Sequence, residues 1–476
     1  MGGILLCGFV CNELVGKDEK TMEKKHFRIS PVQLIPISFL FVIVLGTLLL
    51  MLPFATVSGH SAGGLTALFT STTSVCVTGL TVVDTCTHWS LFGQAVILLL
   101  IQIGGLGVVS VGSMIMMMGR KKFSLGERIL LGDSLNLDKN REVFTFLKRI
   151  FKGVFLMETV GAMLFSIRFI PLLGTAKGIW ASVFQSVSAF CNAGMDVVGS
   201  DSMIGLRDST LVMTVTMVMI IMGGLGFVVW FDLVDTIRNR IREHYALSGV
   251  ISHLSEHSKL VLLMTAVLIL IGTVCVLVAE YDNPATIGNM PLPQKILNSL
   301  FQSVTYRTAG FASVPQDGLT ESSCLIGGVL MFIGGSPIGT AGGVKTVTFF
   351  LFFMNAFSFI RGKKEDVVFH RRVTPEMMKK AAAIVFFSAF TLFVITLMLM
   401  SRGIGLTDAM YESVSALGTV GLSRNITPTL DMWGRIIVII AMYLGRIGPI
   451  SMAFFFSSEN RYNTKIQHAD GNFYVG

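Results

Sequence analysis

Charge is scarce in this chain. Only 14% of its 476 residues are Asp, Glu, Lys or Arg, whereas soluble proteins carry about 25%. The shortage excludes a large soluble core and a soluble second domain. Hydrophobic residues make up 52% of the sequence, and several apolar runs are near or above the roughly 20 residues that cross a bilayer. The composition therefore predicts an all-α polytopic membrane protein, with apolar runs that include 33–52, 92–118, 211–231 and 260–279.

Cysteine is sparse too, and no catalytic pattern stands out. The seven cysteines form no framework, so we interpret them as small residues that pack within the membrane. The segment 253–257 fits the H-x-x-E-H pattern of some zinc metalloproteases. We expect no enzyme activity, because the next acidic residue, Glu280, falls on the opposite membrane face. A membrane metalloprotease that uses His253, Glu256 and His257 stays as an alternative.

A short glycine motif occurs four times at nearly constant spacing. Its central glycines lie 115, 116 and 111 residues apart, which indicates an internal repeat. A second glycine mark follows each copy 24 to 29 residues later, at Gly104, Gly223, Gly334 and Gly445. The four copies of the motif are Cys76–Leu80, Cys191–Met195, Arg307–Phe311 and Gly418–Leu422.

Each copy lies within the same series of segments. A run long enough to span the bilayer comes first, at 33–52, 151–173, 259–280 and 380–401. A segment of only 12 to 14 residues follows, which covers about 20 Å and cannot cross; these segments are 62–75, 178–190, 294–305 and 406–417. After the glycine motif, a second spanning segment closes each unit, at 90–118, 209–236, 323–360 and 432–456. We predict four repeats of outer helix, pore helix, filter and inner helix around one central pore.

The placement of basic residues orients these repeats. The net charge is +8, but 26 of the 37 Lys and Arg residues fall in the tails and in the connectors between repeats, and only 7 fall in the loops within repeats. By the positive-inside rule, the connectors and both termini are cytoplasmic and the glycine motifs face outward. Basicity therefore indicates topology, and we expect no nucleic-acid partner.

The predicted boundaries follow from this pattern. The repeats are 31–119, 151–240, 259–361 and 380–456. Cytoplasmic connectors occupy 120–150, 241–258 and 362–379. The cytoplasmic tails are 1–30 and 457–476.

A pore helix that enters from outside and ends at a glycine segment is suited to bind a cation. Its C-terminal end carries partial negative charge toward the membrane centre. The glycine lets the backbone turn its carbonyls toward the axis, where they can replace the hydration shell of the ion. The predicted filter residues are Val77, Thr78, Gly79, Asn192, Ala193, Gly194, Thr308, Ala309, Gly310, Thr419, Val420 and Gly421.

The inner helix of the third repeat is interrupted. Ten residues, 334–343, include five glycines and one proline, a composition that cannot hold a regular helix. We predict an intramembrane loop here with no equal in the other repeats. The residues singled out in and near it are Gly334, Gly335, Gly339, Gly342, Gly343 and Lys345. Arg446 in the fourth inner helix is expected to face the pore, with extension to the inner membrane surface as the alternative.

Together these motifs resemble the Trk/Ktr/HKT superfamily of potassium transporters, and most of all the membrane subunit of bacterial Ktr systems. The resemblance covers about 31–476 and implies potassium as the substrate, a gating role for the loop 334–343, and a pore-facing Arg446. Some plant relatives carry serine at the position of Gly79. With glycine there, this chain resembles the members of the family that prefer potassium. The family further implies a homodimer in the lipid bilayer of the cell membrane, with one pore in each protomer, on a cytosolic nucleotide-binding ring.

Several alternatives stay open at this point. Sodium dependence is open, as is the choice between a channel-like pore and an alternating-access cation carrier, although carriers often use inverted repeats. Lys345 can reach a carbonyl near the filter or extend to the membrane surface. Asp84 and Asp196 can attract cations or only solvate loops. Glu158 is expected near the cytoplasmic end of its helix, in an anchoring or ion-pair role rather than as an ion relay.

Overall fold

The computed structural model is predominantly helical. It describes residues 31–108, 110–113, 143–199, 201–243, 249–362 and 365–448. The predicted tails, and most of the predicted connector 120–150, lie outside these described residues. A small antiparallel hairpin on the connector between the third and fourth repeats consists of β1 (Val367–Val368) and β2 (Arg371–Arg372).

Each repeat begins with an outer helix. These are α1 (Pro31–Leu50), α5 (Val143–Leu173), α10 (Glu256–Glu280) and α14 (Pro375–Met400). All but α1 are long and apolar enough to cross a membrane. The outward side of α14 exposes Phe386, Phe390 and Phe393 by 64%, 56% and 61%, which is typical of side chains that contact lipid.

The second outer helix begins earlier than the sequence indicated. Its first residue, Val143, lies within the predicted connector 120–150. The basic residues there suggested a loop, but Arg149 stays on the exposed side of α5 and pairs with Asp235 at 2.6 Å. Glu158 consequently lies in the middle of α5, so the prediction that it sits near the cytoplasmic end is wrong.

The pore helices are short. They are α2 (Gly64–Val75), α6 (Thr175–Cys191), α11 (Leu292–Thr305) and α15 (Leu406–Gly418). With 12 to 17 residues they cover about 18–26 Å, less than the ~30 Å of a bilayer core. Each packs on its own outer helix. The Ser71 hydroxyl donates to the Ile43 carbonyl (2.7 Å), and Ser303 donates to Ile269 (2.8 Å).

The inner helices are α4 (Leu91–Leu106), α7 (Thr210–Leu225), α12 (Glu321–Phe332) and α16 (Met432–Ile447). Two further helices continue the second and third of them, α8 (Phe227–Arg242) and α13 (Thr346–Ile360). Two one-turn helices lie in the loops, α3 (Thr85–His88) and α9 (Val250–His253).

The third inner helix is not the only one that is interrupted, although its long break has no equal among the described residues. The chain bends by 99° between α7 and α8, at Gly226. This glycine has φ +88°, and Gly107 and Gly448, which follow α4 and α16, have φ +86° and +90°. Such backbone is unfavourable for residues with a Cβ. What distinguishes the third repeat is the length of its interruption, from Ile333 to Lys345.

The second glycine mark of each repeat has a packing role. In three repeats, an added Cβ would clash with a carbonyl at the end of the pore helix of the same repeat. The inner helix can therefore approach the filter closely only where glycine stands. The pairs are Gly104 with Val75, Gly223 with Phe190, and Gly445 with Leu417.

Candidate filter and intramembrane loop

The four central glycines of the motif form a closed ring. An ideal Cβ on Gly79 would lie 2.5 Å from the Ala193 carbonyl oxygen, so the first repeat faces the second. The same relation continues in order through the repeats, and the fourth repeat faces the first. All four distances are within 2.7 Å; the remaining pairs are Gly194 with Ala309, Gly310 with Val420, and Gly421 with Thr78.

The backbone of all four segments has an unusual shape. Each central glycine has positive φ, between +66° and +100°, and so does the residue two positions earlier. Three of these earlier residues are β-branched and rarely adopt such backbone, so the surrounding structure must impose it, whereas asparagine in the second repeat tolerates it. The four residues are Val77, Asn192, Thr308 and Thr419, with φ between +51° and +66°.

The pore helices fix this shape by binding the filter amides. The N–H of the residue before each glycine donates to a carbonyl near the end of its pore helix, at 2.8 to 3.0 Å. Hydroxyl groups of the same helices add further bonds: Thr73 accepts from the Gly79 amide (2.9 Å) and Ser415 accepts from the Gly421 amide (3.1 Å). The amides are therefore directed back into the scaffold.

The carbonyl groups of the residues before the central glycines differ from these amides. Within the described part of the chain, no hydrogen bond ends on the carbonyl oxygens of Thr78, Ala193, Ala309 or Val420. The Thr78 and Thr419 hydroxyls are also buried without a partner there. The ring thus offers oxygen atoms from four repeats and no formal charge, which suits a dehydrated monovalent cation.

The intramembrane loop fills the break in the second inner helix. The bend at Gly226 frees the carbonyls of Gly223 and Gly224, which then accept bonds from the amides of Thr340 (3.1 Å) and Ser336 (2.9 Å). The Thr340 hydroxyl donates to the Phe190 carbonyl, next to the second filter segment. The loop therefore replaces helical hydrogen bonds of its neighbour, and moving it costs those bonds.

On its other side, the loop lies under the fourth filter segment. A Cβ on Gly342 would clash with the Thr419 hydroxyl, and it would lie 3.0 Å from the Gly418 carbonyl. Because the loop contacts the end of the second pore helix on one side and the fourth filter segment on the other, it crosses the ring on the side where the pore helices end. Glycine at position 342 permits this approach.

Arg446 and Lys345 both bind the loop. Arg446 donates to the Thr340 carbonyl and, through Nη2, to the Gly104 carbonyl of α4, both at 2.5 Å. Its guanidinium thereby joins the fourth repeat to the loop and to the first repeat. The Lys345 Nζ donates to the Ala341 carbonyl (2.6 Å), which belongs to the loop itself.

The predicted acidic residues do not converge on the filter axis. Asp84 caps α3, where it accepts from the Thr87 amide at 2.7 Å. Asp196 is buried just beyond the second filter segment. Glu158 is buried behind that segment, and its backbone carbonyl accepts from the Ser186 hydroxyl of α6. These positions support structural roles for Asp84 and Glu158.

The residues of the possible zinc motif have separate partners. His253 contacts Arg240 at 2.7 Å, whereas Glu256 pairs with Arg371 at 3.4 Å. No group of three metal-binding side chains occurs in the part of the chain that the structure describes. The arrangement therefore gives no support to a metalloprotease.

Sequence reasoning missed two groups of residues at this site. The hydroxyls that hold the filter had a sequence signal, because Ser-Val-Ser or Ser-Val-Thr occurs in the last turns of three of the pore helices. The contacts between the loop and the second inner helix had no such signal, because they join residues more than 100 positions apart. The hydroxyl-bearing residues are Thr73, Ser188, Thr305 and Ser415.

The sequence of this chain is similar to those of known cation transport proteins. A family model described as TrkH, cation transport protein, matches residues 11–465. The chain is 37% identical to the Ktr system potassium uptake protein B of Bacillus subtilis, over 95% of this chain and 98% of the relative. It is 36% identical to the potassium/sodium uptake protein NtpJ of Enterococcus hirae, over 91% of this chain and 95% of the relative.

A solved structure has the same fold. The potassium transporter TrkH from Vibrio parahaemolyticus matches with a TM-score of 0.72, over 95% of this chain and 89% of that chain, at 15% identity. The predicted fold class, an all-α polytopic membrane protein, is confirmed by this similarity. The prediction that the chain is not an enzyme is confirmed as well, because the matched proteins are transporters.

Proposed function

Because the chain belongs to the TrkH family of cation transport proteins, as its glycine motifs predicted, we propose that it carries potassium into the cell through a channel-like pore. The observation that carries this proposal is the closed ring of the four filter segments, whose carbonyl oxygens accept no hydrogen bond from the residues that the structure describes. Four backbone segments around one axis can replace the hydration shell of a potassium ion. Potassium is the substrate, and sodium dependence stays a separate question.

The intramembrane loop is proposed as the gate. It crosses beneath the ring, and it is held by Arg446 and by two carbonyls of the second inner helix. A path from the filter to the cytosol requires that this loop moves aside. A cytosolic nucleotide-binding ring is proposed as the partner that moves it, and a homodimer with cytoplasmic termini as the membrane assembly.

An alternating-access carrier fits less well. Its inverted repeats would rock against each other around a site at the membrane midplane. Here the four repeats contribute equivalent segments in cyclic order to one ring. Such an arrangement favours a fixed filter with a movable gate below it.

Growth of a bacterial strain that lacks its own potassium uptake systems tests the proposed function. Expression of the chain with its cytosolic partner is expected to restore growth at low potassium. A chain that reaches the membrane in normal amounts and leaves growth unrestored contradicts the proposal.

Substitution of Gly79 by serine is expected to lower the preference for potassium over sodium. The new side chain would begin 2.5 Å from the Ala193 carbonyl, so this part of the ring must widen or distort. We also expect strain, since Gly79 has φ +100°. Uptake of both ions by the variant measures the change, and an unaltered ratio excludes Gly79 from the selective part of the pore.

Substitution of Arg446 by glutamine is expected to raise potassium flux several-fold with similar selectivity. A unit charge about 8 Å from the path raises the barrier by ~2 kcal/mol at an effective dielectric of about 20. This corresponds to at most roughly thirtyfold in rate. Loss of the bonds to Thr340 and Gly104 acts in the same direction, because it frees the loop. Flux through equal amounts of reconstituted protein measures the effect, and an unchanged rate contradicts a role in the pore.

A further inference from the structure

Arg307 stands where the third repeat differs from the other three. It lies three residues before the central glycine, a position that Cys76, Cys191 and Gly418 occupy in the other repeats. Its side chain is only 8% exposed, and its Nη2 donates to the Gly334 carbonyl at 3.3 Å. Since Gly334 is the first residue of the loop, Arg307 links the third filter segment to the beginning of the loop.

This link replaces a backbone contact that the other repeats have. In those repeats, the second glycine mark lies against the end of the pore helix, with no room for a Cβ. In the third repeat, the corresponding Gly334 instead lies against Gly342 and Gly343 of the loop. The Arg307 side chain provides the link between the end of this pore helix and Gly334. A side-chain hydrogen bond can break while the helices stay in place, whereas a backbone packing contact cannot.

The surroundings of Arg307 allow its hydrogen bond to Gly334 to break. A cavity of about 20 Å³ adjoins it, enough for one water molecule, and its lining includes Ile220, Gly224, Thr265, Val304 and Gly335. Arg307 Nε is buried without a partner, as is the Thr265 hydroxyl. Among the described residues, no carboxylate pairs with this guanidinium. It therefore has a spare donor and space next to its one bond to the loop.

We propose that Arg307 is a positioning residue that couples the third filter segment to the intramembrane loop. When the loop leaves, Gly334 loses this bond, and the guanidinium adjacent to Thr308 is released with it. The state of the gate then affects the shape of the filter. Arg446, which binds the loop from the fourth repeat, has no such direct attachment to a filter segment. The effect on flux rests on the proposed function, but the attachment of the loop does not.

Hydrogen exchange tests the attachment without any transport measurement. Arg307→Met keeps the length of the side chain and removes its donors. We expect faster exchange of the amides in 334–344 of this variant than in the unsubstituted protein, in full-length protein in detergent. Arg402→Gln is the matched control, because it removes an arginine that pairs with Asp431 at the outer surface. Equal exchange of the loop in all three proteins overturns the proposal.

Flux through liposomes tests the coupling. Arg307→Met is expected to raise potassium flux by roughly tenfold, the change for one lost hydrogen bond to a charged group. It is also expected to lower the potassium-to-sodium ratio, whereas Arg446→Gln preserves that ratio. With the loop shortened by removal of 335–343, the same substitution should no longer raise flux. Arg307→Lys, which retains a donor, should restore much of the original behaviour.

The outcomes separate this proposal from the proposed function. If Arg307→Met raises flux equally with and without the full loop, or leaves both flux and ion preference unchanged, the coupling is wrong. If the unsubstituted protein conducts no potassium while exchange in the loop still rises, the proposed function fails and the attachment stands. If Arg307→Met does not fold, Arg307→Leu, which also lacks a donor, takes its place with the same expectations.

Discussion

Replacement of Gly310 by aspartate is expected to abolish potassium uptake. Gly310 has φ +81°, and a Cβ there would lie 2.5 Å from the Val420 carbonyl oxygen and 2.9 Å from the Gly194 Cα. The new side chain thus has to displace two neighbouring filter segments. Its carboxylate also brings a full negative charge into a ring of carbonyl dipoles, where a cation binds too tightly to pass on. Growth at low potassium and uptake of potassium by intact cells are the measurements.

The matched control is Gly205→Asp. This glycine is exposed in the loop after the second filter segment, and no atom would lie within 4 Å of a Cβ added to it. The same change of charge and size should leave uptake intact there. Normal growth of a membrane-inserted Gly310→Asp variant would contradict the filter assignment, whatever the control does.

Shortening the intramembrane loop is expected to raise basal flux by about an order of magnitude. Residues 335–343 are removed and Gly334 is joined to Val344 through two glycines, since Ile333 and Val344 already pair as neighbours. The change eliminates the bonds from Thr340 to the second inner helix and to Arg446. Tenfold in rate corresponds to a barrier lower by ~1.4 kcal/mol. Liposome flux without the cytosolic partner measures the effect, and added partner should no longer control it.

The same shortened chain with Gly310→Asp is the control. It should conduct nothing if the additional flux passes through the filter. A shortened chain that folds, and that keeps the original basal flux and the original response to the partner, contradicts the role of the loop as a gate.

The repeat architecture could be predicted from the sequence because the same pattern occurs four times, and each copy makes the interpretation of the others less ambiguous. One glycine in an apolar segment has many explanations, but Gly79, Gly194, Gly310 and Gly421 at similar distances after short helices have few. The ring then followed from the number of copies. The composition of 334–343 was equally direct, since five glycines and a proline exclude a helix.

The remaining features depend on contacts between distant residues. Gly226 follows an apolar run, and nothing local distinguishes a helix break from close helix packing. The break is stable because Ser336 and Thr340, over 100 residues away, bind the freed carbonyls. Arg307 was visible in the motif but had no local partner to suggest a role. Glu158 was misplaced because nearby basic residues on α5 resembled those of a connector.

The most direct test of the central claim is ion flux through the purified chain in liposomes under a pure potassium gradient. The account predicts that potassium moves down its gradient in the absence of sodium. It predicts a smaller flux of sodium when sodium replaces potassium in the gradient, and loss of both fluxes in Gly310→Asp. Equal fluxes of the two ions, or flux that persists in Gly310→Asp, would contradict a potassium filter built from the four glycine segments.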